Sequence, residues 1–282
     1  MPGMKWTFMS LQILDDVRSG KMTFAEMFPR ARAAGFVAYD ASDMDAEFAD
    51  REEVLRLCRE NGLKIADYIH WIHMAAPDDK ALEAAIESGK QAVHTALAHG
   101  TKMLMIVEQV NRQDLEKLTR QEASRRMGCA LREIVNYADK FGVTVMVEDF
   151  PVPALPMSTS DEMKALLDAA PGLQLILDTG NMLAQKEDPL HFYQALKGHY
   201  AHVHLKDIEY PENATTGDID CEGRHIWNAQ HGEGVVNFAA LLPDLKQDGF
   251  DGYVTVEYGP HEGTKDHFEK MAESIRYLEG LL

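Results

Sequence analysis

Apolar positions along the chain gather into eight short β-rich runs: Lys5 to Met9, Phe36 to Tyr39, Lys64 to Ile69, Met103 to Val107, Val143 to Val147, Leu173 to Leu177, Ala201 to Leu205 and Tyr253 to Val256. Between them the apolar spacing changes to 3.6 residues and closes on helix stops. The predicted helices are Thr23 to Ala34, Glu52 to Glu60, Pro77 to His99, Arg120 to Phe141, Ser160 to Ala169, Pro189 to Lys197, Phe238 to Gln247 and Lys265 to Leu281. Runs such as VTVMV and LQLILD are apolar almost throughout, as parallel strands covered on both faces require. Eight strand and helix repeats in 282 residues therefore predict an α/β fold, a single-domain (β/α)8 TIM barrel spanning residues 1–282. The rival open, doubly wound sheet needs a GxGxxG turn after its first strand, and FMSLQILDD stands there instead. No Pro-, Gly- or Ser-rich linker divides the chain, and its longest irregular stretch, about 208–236, is expected to be a loop after strand seven.

Charge narrows the partners. Asp and Glu number 46 against 28 Lys and Arg, a net charge of −18 that repels phosphate backbones and anionic lipid. Neither nucleic acid nor membrane is expected as a partner. Cys58, Cys129 and Cys221 are far apart and lack CxxC spacing, so neither a disulfide framework nor a cysteine zinc site is indicated. With no leader pattern in Met1 to Ser10 and no apolar run of about 18 residues, a cytoplasmic protein is expected. A homo-oligomer is compatible with the apolar helices.

In a barrel of this kind the C-terminal ends of the strands carry the chemistry. Strand five ends at Glu148, strand six at Asp178, strand seven carries His204 in HVHLKD, and strand eight ends at Glu257. Taken singly, an acid after a strand is commonly a helix N-cap, and a lone histidine a satisfied polar group. On consecutive strands at equivalent depth, three carboxylates gathered with one imidazole would form a repulsive cluster without a cation, since like charges so close cannot all stay ionised. Oxygen-rich ligation with one nitrogen suits one divalent ion, Mn, Mg, Co or Zn, with positions left for substrate oxygens.

The set Glu148, Asp178, His204 and Glu257, with LDTGN, HVHLKD and GEGVVNF around it, resembles the xylose isomerase-like barrel superfamily of sugar phosphate isomerases and epimerases. That superfamily also holds ketose 3-epimerases, hydroxypyruvate isomerase, inosose dehydratase and endonuclease IV. The resemblance implies one metal held by these four residues, with Glu148 and Glu257 as the catalytic pair that exchanges a proton next to the substrate carbonyl through an enediolate. The chain departs from the endonuclease pattern, with Asn181 where a histidine is expected and no Asp-x-His pair before its GxG segment. It also has Tyr210 where ketose 3-epimerases often place an arginine.

Further substrate-binding candidates are His70 in DYIHWIHM, beside Trp71 and His73, and Glu108 at the end of strand four. Asn181, Lys206, and Arg224 and His231 in the long loop complete the group. Arg224 reads as a receiver for a phosphate or carboxylate, and the loop as a lid. The function expected is a metal-dependent isomerase or epimerase of a small ketose, hydroxy-keto acid or sugar phosphate. A dehydratase of a keto-inositol or dehydroshikimate type substrate and a non-catalytic sugar-binding barrel are the alternatives.

Overall fold

The computed structural model describes residues 4–258 and 266–282. Its strands are β1 (Lys5–Met9), β2 (Ala38–Ser42), β3 (Lys64–Ile72), β4 (Met103–Glu108), β5 (Thr144–Glu148), β6 (Gln174–Asp178), β7 (Tyr200–Glu209), β8 (Asp218–Ile219), β9 (His225–Ala229) and β10 (Tyr253–Glu257). From β1 to β7 each strand pairs in parallel with the next, and β10 pairs in parallel with both β1 and β7, which closes an eight-stranded barrel. The helices are α1 (Leu14–Arg18), α2 (Phe24–Ala34), α3 (Arg51–Glu60), α4 (Asp79–Ala98), α5 (Arg112–Leu115), α6 (Arg120–Ala138), α7 (Ser160–Ala169), α8 (Pro189–Ala195), α9 (Phe238–Gln247) and α10 (His267–Glu279). The short α1 and α5 carry no long apolar face and were not expected. The expected start of the last helix, Lys265, lies outside the described residues.

Helix starts follow from local chemistry. Thr23 and Glu26 form a reciprocal capping box at α2. Asp50, Asp78, Thr119, Thr159 and Asp188 accept backbone N–H bonds at the starts of α3, α4, α6, α7 and α8. Each such cap contributes about 1 kcal/mol.

Alternation along the strands divides the core into two shells. Outward-facing side chains pack under the helices, where the Phe8 ring lies 5.0 Å from Tyr39, 5.3 Å from Phe36 and 6.0 Å from Phe268. Inward-facing Met9, Ile69, Met105, Val107, Met146 and Ile176 form a separate apolar cluster inside the barrel. Burying each of these side chains contributes about 1.5–3 kcal/mol to the barrel.

The stretch 208–236 is not an irregular loop. β7 continues to Glu209, beyond the expected Leu205, and β9 returns antiparallel on it with Asp207 opposite Ala229 and Glu209 opposite Trp227. β8 adds a further antiparallel pairing, Ile219 opposite His225. The resulting ribbon reaches the connections after β4 and β5. There Ile219 and Asp220 face Arg112, Leu115, Glu116 and Val152 to Ala154 across a cavity of about 470 Å³. Among the described residues no helix is long and apolar enough to cross a membrane.

Candidate metal centre

Four neighbouring strands deliver Glu148, Asp178, His204 and Glu257 to one point at the barrel mouth, with one donor atom of each within 4.8 Å of the others. His204 Nδ1 lies 3.0 Å from Glu148 Oε2 and 3.5 Å from Glu257 Oε2. Strand register sets this depth: Asp178 stands opposite His204 on β7, and Lys206, two residues on, stands opposite Glu257 on β10. His202, His204 and Lys206 thus share the inner face of β7.

The LDTGN segment builds one wall. Asp178 Oδ1 accepts the backbone N–H groups of Gly180 and Asn181, both at 2.7 Å, which fixes the carboxylate and leaves Oδ2 pointing to the centre. The Thr179 hydroxyl and the Lys206 backbone exchange two hydrogen bonds of 2.8 Å. A Cβ at position 180 would fall 2.9 Å from the Lys206 stem and 2.8 Å from Ile208, so glycine lets the two segments approach. Lys206 Nζ then lies 2.7 Å from Glu257 Oε1, 3.3 Å from Asp178 Oδ2 and donates to Asn181 Oδ1 at 2.9 Å. Asn181 is held in turn by donating to the Asp149 carbonyl.

Electrostatics follow from burial and these contacts. Burial pushes the Asp178 carboxyl up to about 7, with the neighbouring glutamates adding to the effect and Lys206 opposing it. Burial also works against ionised Glu257, but Lys206 and His204 outweigh it and hold that carboxyl well below the usual range. For His204 the loss of solvent is outweighed by Glu148 and Glu257, which raise the imidazole well above its ordinary value.

The donor set fits a divalent cation. Glu148 Oε2, Asp178 Oδ2 and both ring nitrogens of His204 are buried and make no hydrogen bond of acceptable geometry among the described residues. Lone pairs withheld from water in this way need a cation or a proton.

Other expected site residues are placed differently. Because β3 runs on to Ile72, His70 faces outward. Its ring bonds Asp43 at 2.6 Å and Ser88 of α4 at 2.9 Å. Glu108 also faces outward from β4, where it contacts His73 at 2.9 Å and accepts from the Met74 backbone at 2.7 Å. Arg224 is spent on Asp220, 2.8 Å away, and stacks over the Tyr210 ring. His231 donates through Nε2 to the Leu205 carbonyl at 2.8 Å and lies 2.9 Å from the Ser274 hydroxyl through Nδ1. None of these four belongs to the cluster. Asn181 and Lys206 do.

The GEG segment also has a structural explanation. Asp207, on the outer face of β7, accepts from the backbone N–H groups of Gly232, Gly234 and Val236 at 2.9, 3.0 and 3.0 Å, tying the ribbon's return to the barrel.

One expected group is oriented differently, and one feature was missed. Trp71, not His70, faces the barrel mouth, opposite Val107 and packed on the inner apolar cluster. Beneath the four donors lies a buried polar layer in which Thr7 and Thr255 both donate to Asp40 at 2.8 Å, and His202 Nε2 meets Thr255 at 2.7 Å. Strict two-residue alternation from Ile69 and from His204 was the signal for both.

The closed parallel barrel, with a cluster at its mouth that could hold a metal ion, is a TIM barrel. A profile of the xylose isomerase-like TIM barrel family matches residues 15–281, and the chain belongs to that family. It is 26% identical to an L-ribulose-5-phosphate 3-epimerase of Escherichia coli over 245 residues, 81% of this chain and 80% of that one. The solved 3-keto-D-glucoside 4-epimerase of E. coli superposes with a TM-score of 0.72 at 15% identity, covering 99% of this chain and all of the other. The IOLI protein with a bound zinc atom superposes with 0.75 at 19%, covering 98% and 96%.

Proposed function

We propose that this protein is a divalent-metal-dependent isomerase or epimerase of a small ketose, hydroxy-keto acid or sugar phosphate, moving a proton at a carbon next to the carbonyl. The observation that carries this reading is the approach of two glutamates from different strands, Glu148 and Glu257, to 3.0 and 3.5 Å from the same ring nitrogen of His204. Metal ligation alone would use both carboxylates as donors, and proton transfer uses them in addition as an acid–base pair. The epimerase activity of the E. coli relative supports the same class.

Glu148, Asp178, His204 and Glu257 would hold Mn, Mg, Co or Zn. When bound, the ion supplies Lewis acidity that makes the hydrogen beside the substrate carbonyl acidic. The two glutamates then differ in their work. Glu148 Oε2 lies 3.0 Å from His204 but, unlike Glu257, has no ammonium against it among the described residues, and is the freer base to take the proton from carbon. Glu257, held ionised by Lys206 and His204, first takes a proton from solvent and then returns it to the carbon. The Lys206 ammonium, positioned by Asn181, steadies negative charge that develops on the substrate oxygen. Trp71 offers the C–H face of a sugar an aromatic wall opposite these charges.

The test is an NMR assay of a ketose, keto-acid and sugar-phosphate panel with chelated protein reloaded with each of the four metals. A new epimer or isomer, formed only with metal, is the expected product. A product lacking one water would instead assign the dehydratase reaction, and no metal-dependent change in any member would contradict the proposal.

A further inference from the structure

We infer that Arg112 receives the anionic end, a phosphate monoester or a carboxylate, of a substrate whose reacting carbons lie between Glu148 and Glu257. This rests on the function proposed above and names the substrate class of that site as anionic.

Arg112 opens α5, immediately beyond β4 on the catalytic face of the barrel, and its side chain is exposed. Among the described residues no carboxylate lies within ion-pair distance of it, and it makes no hydrogen bond through its guanidinium. Arg224, which the sequence suggested for this role, is committed to Asp220 and Tyr210. Two cavities meet at Arg112. One, of about 470 Å³, runs beneath the β8–β9 ribbon, and the other, of about 460 Å³, is lined by His73, Gln109, Val110, Asn111 and Gln113. The ribbon therefore spans from β7, which carries His204 and Lys206, across to Arg112. At its edge, Asp218 lies within electrostatic range of Lys206, of Glu257 and of Arg112.

Charge gives this position its meaning. With a net charge of −18 the protein repels anions at long range, so an anionic substrate needs a local cation at the mouth. Lys206 sits among the donors at the reacting end, held by Asp178, Glu257 and Asn181, and does not extend to the mouth's rim. An uncommitted guanidinium supplies the remaining charge, and its planar fork matches both phosphate and carboxylate.

The test is isothermal titration of the Mn-loaded protein with ribulose, ribulose 5-phosphate, 2-ketogluconate and inorganic phosphate. The wild type is expected to bind at least one anionic sugar tenfold or more tightly than ribulose. R112Q should bring that ratio close to one, with R112K restoring part of it. Metal content measured on each variant separates this effect from misfolding, and R224Q should leave the ratio unchanged. Preference for ribulose 5-phosphate or for 2-ketogluconate distinguishes a phosphate from a carboxylate partner. A preference that survives R112Q overturns the inference, as does a wild type that binds neither inorganic phosphate nor an anionic sugar more tightly than ribulose. Metal-dependent deuterium exchange into neutral ribulose reports on the glutamate pair independently, so the two readings fail separately.

Discussion

Lys206 Nζ sits 2.7 Å from Glu257 Oε1 and 3.3 Å from Asp178 Oδ2, so an ammonium is built into the carboxylate cluster that the strand ends create. Burial alone would drive its proton off, but Asp178 and Glu257 outweigh burial and keep the amine charged. It is the internal counter-charge of the cluster in metal-free protein.

Removing that charge leaves buried carboxylates uncompensated. Lys206→Met is expected to destabilise chelated protein by about 3 kcal/mol, in the range for breaking a buried ion pair. Added metal should then raise the melting temperature more in the variant than in the wild type. Paired melting curves with EDTA and with Mn check this, and an unchanged Tm in EDTA would contradict the counter-charge role.

Trp71 tests the apolar wall. Trp71→Ala should weaken ligand binding about tenfold, some 1.4 kcal/mol, while metal content stays at the wild-type level. His70→Ala, whose ring is turned toward Asp43 and Ser88, should affect melting rather than ligand affinity. Titration of both variants with the substrate found in the panel decides, and the opposite pattern would restore His70 to the pocket.

The barrel and the four-donor cluster were legible because each donor is a polar residue interrupting an apolar strand end, and alternation then sets which way it points. Asp178 and His204 are read correctly onto one face by that rule. His70 and Glu108 were misplaced because the rule was not carried through. With Ile69 and Val107 facing in, their neighbours His70 and Glu108 must face out. Arg224 and His231 are of another kind. Arg224 meets Asp220 within its own turn, four residues away, but Tyr210, and the Ser274 and Leu205 partners of His231, are brought in by how the ribbon folds back on β7 and α10, which no local pattern encodes. Asp207 shows the same limit, since its three backbone partners lie beyond the ribbon.

The Asp207 clamp gives a stability prediction. A Cβ at position 234 would meet Asp207 Oδ1 at 2.2 Å and the Ile208 carbonyl at 2.5 Å. Gly234→Ala is expected to cost about 2 kcal/mol, because the return segment must move off the carboxylate. Denaturant unfolding measures it, and a variant as stable as wild type would show that the clamp is dispensable.

His231 gives a pH prediction. Burial holds its imidazole below the ordinary value, and its Nε2–H is committed to the Leu205 carbonyl. The unfolded chain therefore takes up a proton near pH 6.5 that the folded protein does not, and stability contributed by neutral His231 is lost as pH falls below that point. His231→Gln should lose less stability than wild type between pH 7.5 and 5.5. Melting curves of chelated protein at both pH values check it, and equal losses would contradict it.

The most direct test of the central claim is deuterium incorporation from heavy water into the carbon beside the substrate carbonyl, followed by proton NMR with metal-loaded protein. Wild type is expected to exchange that hydrogen, and both Glu148→Gln and Glu257→Gln, with their metal content verified, to slow exchange by at least about a hundredfold, as loss of a positioned base does. Exchange at the wild-type rate in both variants would contradict the assignment of the two glutamates as the proton-transfer pair.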